Sequence, residues 1–437
     1  MNTNVIGFDD AIELFAELLV QQVGAKQAAE GRLLRDMYGR LSFVTPQSLD
    51  VEHTEFGAAV ESAGLSGWCA NGPGLVISLS DDIERFDELI RETSIAVSHG
   101  HGPGLRLIDR RLAGDDWLVR PGKLVTAPAR LVFYSVKGGV GRSTALAIAA
   151  ADLAARGFNI LILDLDLEAP GIGTLLLAAE DTPKYGVIDW FAAVAAGADA
   201  NAMVPDMTGP SSFTSARAVV DVVPAAGHAP GAYLSKLARA YAPGSAGERY
   251  RGFSFPMKVD GLIRQLTALR RYDAVLIDAR AGLHETSGGL VLGLGASTLI
   301  FGLDTTQTFE DFKLMFAAFA QAFDPAAGGE DTRYALKMVH AKAPRDDQDR
   351  QPFRERSWEL WSESLYDDTE PETELTGEAF VFDVTDEDAP HYPLEIIGDE
   401  FFARFDPRTQ TYPLSAAAYE SVFGRFLAGI RAMLRLV

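Results

Sequence analysis

The spacing of apolar positions changes character near residue 131. Before it, "AIELFAELLVQQVGAKQAAEGRLLRDMYGRL" (11–41) repeats its apolar residues at helical intervals. "GLVISLS" followed by "DDIERFDELIRET" (74–93) reads as a strand and then a helix. From 131 onward come short, continuous apolar runs: "LVFYSV" (131–136), "NILILDLD" (159–166), "AVVDVVP" (218–224), "DAVLIDA" (273–279), "STLIFGLD" (297–304) and "YALKMVHA" (334–341). Helix-like stretches separate them. Strands that are apolar throughout and alternate with helices predict a mostly parallel, doubly wound sheet covered on both faces. Such a sheet takes its ligand just beyond the carboxyl ends of the strands.

Punctuation supplies the expected boundaries. Residues 1–119 form a small α/β domain without a chemical motif, and "RPGKLVTAPAR" (120–130), with two prolines and a glycine, reads as a linker. The α/β domain proper then runs over 131–437. Within it "ESLYDDTEPETELTGEAFVFDVTDED" (363–388) holds many carboxylates and neither Lys nor Arg. It reads as a solvated acidic insertion with a strand in "AFVFDV". His99 and His101 in "SHGHGPG" lack a third ligand and read as an ordinary glycine-rich turn.

Composition narrows the function classes. The 437 residues suit two or three domains, and 47% hydrophobic with 23% charged residues is a globular balance. A formal charge of −22 disfavours broad attraction to nucleic acid or anionic lipid. Arg345, Arg350, Arg354 and Arg356 cluster, but three aspartates interleave with them. The start lacks a basic region followed by an apolar stretch, no run reaches about 18 apolar residues, and Cys69 stands alone. A cytoplasmic protein is expected.

Chemistry concentrates behind three of the strands. After 131–136 comes Lys137-Gly138-Gly139-Val140-Gly141-Arg142-Ser143-Thr144 and then an Ala-rich helix closed by Gly157. Three glycines let successive backbone N–H groups turn toward an anion, and the helix brings its positive end to the same place. The Ser143 hydroxyl is placed to ligate Mg²⁺. "LILDLDLEAPG" ends a strand in Asp164 and Asp166, two apart and so on one side. "YDAVLIDARAG" ends another in Asp278. Carboxylates at strand ends beside a triphosphate hold Mg²⁺ through its waters and orient the attacking water.

With these three motifs the stretch 131–310 resembles the ParA/MinD family of deviant Walker A ATPases, and more narrowly a variant subgroup carrying "KGGVGR". "LIFGLDTTQTFEDF" (299–312) parallels the family's strand and turn after the last switch. The resemblance implies a P-loop NTPase domain that uses ATP and Mg²⁺, an ATP-dependent homodimer and a cycle that switches a protein partner. It implies that Lys137 is the signature lysine reaching the partner subunit's phosphates. Residues 138–144 would cradle the nucleotide, with Ser143 and Asp278 on the metal. Asp164 would support the metal shell and Asp166 position the hydrolytic water.

Several features depart from the pattern. Arg142 replaces the loop lysine; it keeps the charge and can grip phosphate, but its fork is bulkier than an ammonium. That substitution also motivates a second reading, a nucleotide-sensing scaffold that does not hydrolyse. "DARAG" lacks the prolines of "DTPPG", so a looser loop around Gly282 is expected, with Arg280 a surface arginine and His284 and Glu285 candidate switch residues. His340 stands where relatives carry a base-reading asparagine. Cys69 alone cannot supply a cluster shared between subunits, and Tyr412 and Tyr419 are too isolated for a tyrosine-kinase tail. In "AYESVFGRFLAGIRAMLRLV" an apolar stripe (Tyr419, Val422, Phe423, Phe426, Leu427, Ile430, Leu434, Val437) reads as a closing helix packed on the sheet in preference to a lipid anchor.

Overall fold

In the computed structural model, the structure describes residues 6–47, 53–91, 94–97, 105–110, 115–117, 119–228, 231–241, 254–323, 331–367, 379–403, 405–407 and 416–436. The chain divides into two compact units, Met1–Asp115 and Asp116–Val437. His99, His101, Tyr412 and the centre of the acidic insertion (368–378) lie outside the described residues.

The first unit runs α1 (Phe8–Val23), α2 (Ala25–Glu30), β1 (Arg32–Arg35), β2 (Leu41–Thr45), α3 (His53–Ser62), β3 (Val76–Ser78), α4 (Ile83–Leu89), β4 (Ile95–Val97) and β5 (Leu105–Asp109). Its five strands lie in the order β3-β2-β1-β5-β4. Ala11, Phe15, Ala16 and Leu19, at helical spacing, bury the inner face of α1. The helical pattern expected to continue past residue 30 stops there, because Leu33 and Leu34 point to opposite faces of a strand. Leu33 joins the α1 side and Leu34 packs toward Val44, Phe86 and Ile108. Arg35 and Asp109, neighbours on parallel strands, form a paired salt bridge with both contacts at 2.8 Å. Cys69 is buried, and desolvation pushes its thiol up to about 12.

The second unit runs β6 (Ala129–Ser135), α5 (Arg142–Ala155), β7 (Ile160–Leu165), α6 (Ile172–Leu176), α7 (Val187–Ala196), β8 (Gly209–Pro210), β9 (Val220–Val223), α8 (Tyr233–Ala240), α9 (Phe255–Leu269), β10 (Ala274–Ala279), α10 (Glu285–Gly288), β11 (Ser297–Gly302), α11 (Thr306–Ala322), β12 (Leu336–Ala343), α12 (Gln351–Ser364), β13 (Leu394–Ile397), α13 (Glu400–Ala403) and α14 (Ala416–Leu434). Eight strands form one sheet in the order β13-β12-β11-β6-β10-β7-β9-β8, parallel except for the β8–β9 pair. This is the doubly wound sheet expected from the apolar runs. Val132 and Tyr134 of β6 face one helical layer, with Trp190, Leu262, Phe316 and Trp361. Leu131 and Phe133 face the other, built from the alanines of α5 and the stripe of α14. Both faces are covered, so β7 and β10 are buried along their whole length.

Two expectations meet a different outcome here, and a third is met in full. Residues 120–130 belong to the second unit: the Gly122 N–H donates to the Leu292 carbonyl (2.8 Å) and the Val125 N–H to the Gly295 carbonyl (2.9 Å). "AFVFDV" forms no strand. Its Phe380 N–H donates to the Asp367 carboxylate (2.8 Å), and the Phe380 and Phe382 rings pack edge-on against Tyr334 and lie beside Tyr366, so rings and a carboxylate replace a strand ladder. The arginines 345–356 are consumed internally. Arg350 and Arg354 share Asp347 and Glu395, Arg345 holds Asp399 and Arg356 meets Asp304.

The closing helix behaves as expected. Val422, Phe423, Phe426, Leu427, Ile430 and Leu434 are buried, and Gly429 admits Leu394 so closely that a Cβ there would stand 2.4 Å from its side chain. No helix among the described residues is long and apolar enough to cross a membrane. Because Phe426 sits against Phe133 and Phe301, Phe426→Ala is expected to lower unfolding free energy by about 3–5 kcal/mol. Chemical denaturation measures this; a change under about 1 kcal/mol would mean that the stripe is not core.

Candidate nucleotide-binding site

β6 ends at Ser135 and the chain turns through residues 136–141 into α5. Gly139 (φ +75°) and Gly141 (φ +97°) take left-handed backbone that a side chain would oppose, and this folds the loop over the helix mouth. Val140 anchors it from below, inserted into the α5 core. A Cβ built on Gly138, Gly139 or Gly141 would meet nothing within 4 Å, so the loop's outer face is open. The loop expected to form the cradle, 138–144, is thus open on its outer face at the mouth of α5.

The strand ends deliver three carboxylates to the same place. Asp164 of β7 and Asp278 of β10 are register partners on adjacent parallel strands, and Asp166 follows one residue beyond β7. Arg142 lies between them. Its Nε donates to Asp278 Oδ1 (2.7 Å), its Nη2 to Asp166 Oδ2 (2.8 Å) and its Nη1 to Ser135 Oγ (3.1 Å). Only 8% of the arginine is exposed. The guanidinium thus faces the carboxylates, where the sequence reading set it on phosphate. Burial opposes its charge, but Asp278 and Asp166 overcome that and hold its pKa above the ordinary value. The Ser143 hydroxyl donates to Asp278 Oδ2 at 2.7 Å, joining the residues expected on the metal.

Burial pushes the Asp166 carboxyl upward and Asp278 adds to this, while Arg142 opposes it. Asp164 is the extreme case. It is 1% exposed, its Oδ2 accepts a long bond from the Gly173 N–H (3.3 Å) and its Oδ1 has no partner. Desolvation first, then Asp278 and Asp166, push it up to about 8. Asp164 therefore carries a buried acceptor without a partner beside two further carboxylates, although among the described residues no group of three or more His, Cys, Asp or Glu side chains is placed to hold a metal ion.

Lys137 is not directed at the loop. Its Nζ pairs with Asp311 of α11 at 2.8 Å and is about two-fifths exposed. Thr144 lies half-buried in the first turn of α5.

The loop after β10 is tied by hydrogen bonds, although it lacks prolines. The Gly282 N–H donates to the Ser135 carbonyl (3.0 Å), Tyr134 Oη donates to the Gly282 carbonyl (3.1 Å), and Ser287 Oγ donates to the Arg280 carbonyl (3.0 Å). Arg280 is only half-exposed and binds Glu168 at 2.6 Å, and the Tyr241 hydroxyl donates to the same carboxylate. His284 caps α10, accepting from the Thr286 N–H. Burial and then Arg280 lower its pKa, which Glu168 only partly offsets. His340 is buried and stacked on Phe353, 4.2 Å apart and nearly parallel. Burial, helped by Arg350 and Arg354, lowers it to about 4, so it sits in the core as a neutral ring.

Sequence reading passed over Glu168 and Asp311, although both lie in quoted motifs. Their partners are 112 positions away for Glu168, and for Asp311 on an element remote in sequence, so spacing carried no signal for either.

Fold and site together define a P-loop NTPase unit. The ParA family model, described as NUBPL iron-transfer P-loop NTPase, matches residues 127–203, which contain β6, the glycine loop, α5, β7 and both of its aspartates. Over residues 127–203 the chain is therefore similar to ParA-type P-loop NTPases. Solved structures similar to it include the cell division ATPase MinD of Pyrococcus furiosus (20% identity, 70% of this chain and 99% of that one, TM-score 0.41). A ParA family ATPase from Chlorobium tepidum TLS is also similar (14%, 69% and 98%, TM-score 0.43), as is a Cyanothece McdA variant in complex with ATP (13%, 72% and 98%, TM-score 0.44). No curated protein matches the chain.

The raised pKa of Asp164 gives a sign for pH dependence. A carboxyl whose folded pKa exceeds its unfolded value stabilises the fold fully below about pH 4, and that contribution is lost as pH rises through about 8. In EDTA, Asp164→Asn is expected to flatten this loss between pH 5 and 8.5. Denaturant midpoints at the two pH values read it, and an unchanged slope would remove Asp164 as its source.

Proposed function

We propose that the chain is a Mg-ATP-dependent ATPase that dimerises on ATP and uses the cycle to switch a protein partner in a cytoplasmic setting. The observation that carries this reading is one constellation. An open, left-handed glycine loop sits at a helix mouth, with Ser143 hydrogen-bonded to Asp278 and with Asp164 and Asp166 alongside, at the carboxyl end of a parallel sheet.

In this reading the N–H groups of 138–144 bind the phosphates, Ser143 and Asp278 hold the cation, and Asp164 supports it from behind. Bound Mg²⁺ supplies charge neutralisation of the triphosphate. Asp166 holds the attacking water once Arg142 releases it. Lys137 leaves Asp311 and reaches the phosphates of the partner subunit. The unit Met1–Asp115 serves as effector or adaptor. The net charge of −22 disfavours nucleic acid as the partner, and the buried stripe of α14 leaves no apolar face of that helix for lipid.

A second reading, a nucleotide sensor without turnover, is favoured by one observation: Arg142 holds Asp166 and Asp278 at once. Arg142→Lys separates the two, because an ammonium cannot span both carboxylates as the fork does. A large gain in phosphate release supports the sensor, and a loss supports an ATPase adapted to arginine.

The primary test is equilibrium ATP binding with and without Mg²⁺, followed by sizing and phosphate release. Asp166→Ala is expected to keep ATP affinity and lose roughly a hundredfold or more in turnover. Turnover that survives this substitution removes the proposed role of Asp166. Absence of any ATP binding removes the whole reading.

A further inference from the structure

The positive charges around the glycine loop are unevenly committed. All three nitrogens of the Arg142 guanidinium bond inward, to Asp278, Asp166 and Ser135. Lys137 is paired with Asp311. A third cation arrives from another strand. Lys342, next to last in β12, places its Nζ 2.8 Å from the Gly139 carbonyl oxygen on the loop, across 203 positions of sequence.

Two features indicate that this placement is built. Lys342 has φ +54°, in the left-handed region that opposes a side chain. The β12–β13 register also shifts between His340 and Ala343, an irregularity of the kind that re-aims a side chain at a sheet's end. The ammonium itself is exposed, and among the described residues no carboxylate pairs with it. One carbonyl uses one of its three donors and leaves its charge uncompensated. The loop face beside it is open at Gly138, Gly139 and Gly141.

We infer that Lys342 is a phosphate-binding residue of the nucleotide site. It supplies from the end of β12 the compact ammonium that position 142 no longer provides while its arginine is held by the carboxylates. The inference rests on the nucleotide reading above. An ammonium and a guanidinium then divide two tasks, one toward phosphate and one toward the strand-end acids.

The test is Lys342→Gly in the full chain, because glycine removes the charge while the relief of left-handed strain offsets its entropic cost. Thermal stability is expected to be unchanged or raised. With Mg²⁺ present, affinity for ATP is expected to fall about tenfold or more, and affinity for inorganic tripolyphosphate, which has no base or sugar, to fall in parallel. The dependence of ATP binding on ionic strength should become shallower than in the unsubstituted protein. Unchanged ATP affinity overturns the inference. So does a loss confined to ATP, which would place Lys342 at the base or sugar, and so does a loss with an unaltered salt dependence, which would make it a neutral clamp on Gly139. If the unsubstituted protein binds neither ATP nor tripolyphosphate, the nucleotide reading itself falls, an outcome distinct from the other three.

Discussion

The site depends on how three carboxylates are tolerated together at the ends of two adjacent buried strands. Asp164 and Asp278 are register neighbours and Asp166 is one residue beyond β7. Two like charges about 4 Å apart repel by about 4 kcal/mol at an effective dielectric near 20, so the trio cannot stand fully ionised without positive charge. In this structure two devices answer that need. The Arg142 fork engages two of the acids at 2.7 and 2.8 Å, and the third is biased toward its neutral form. A lysine at 142 would bring a point charge suited to one partner. The guanidinium spans two, which gives the arginine a physical reason to be there.

The rest of the second unit keeps that arrangement in register. α5 carries Arg142 and Ser143 and is alanine-rich, so it lies close against β6, β7 and β10. On its far side α14 closes the layer. Phe426 reaches the strand rings Phe133 and Phe301, and Arg431 pairs with Asp152 of α5 at 2.7 Å. The last helix of the chain therefore backs the helix that begins at the phosphate loop. Its apolar stripe is used for this packing, which is why amphipathicity alone could not distinguish a lipid anchor from a core helix.

Much of the fold was legible because continuous apolar runs leave little choice. Residues such as "NILILDLD" can be buried on both faces only in a covered parallel sheet, and the glycine loop sits between a strand and a helix in the required order. Local pattern failed where long-range partners decided the outcome. "RLLR" could be read as helix until two separate clusters claimed Leu33 and Leu34. The Phe380 and Phe382 pair looked like strand alternation, yet its partners are rings on other elements. His340 lies buried in the core, stacked on Phe353, which no local pattern could show. The direction of Arg142 could not be read at all, since its rotamer is chosen by acids 24 and 136 positions away. Motif matching identifies which residue types meet at a site; it does not say which of them face the ligand and which face one another.

The loop after β10 extends this point from placement to coupling. With "DARAG" in place of two prolines, ring constraint is absent, and the loop's shape is set instead by bonds to its surroundings. Gly282 is pinned to Ser135 at the end of β6, and Arg280 is pinned to Glu168, two residues beyond Asp166. A proline-stiffened loop holds its shape independently of its neighbours. This one takes its shape from β6, through Ser135 and Tyr134, and from the segment after β7, through Glu168. The loop's shape is thus set by its neighbours, and Glu168 also joins it to Tyr241 just beyond α8.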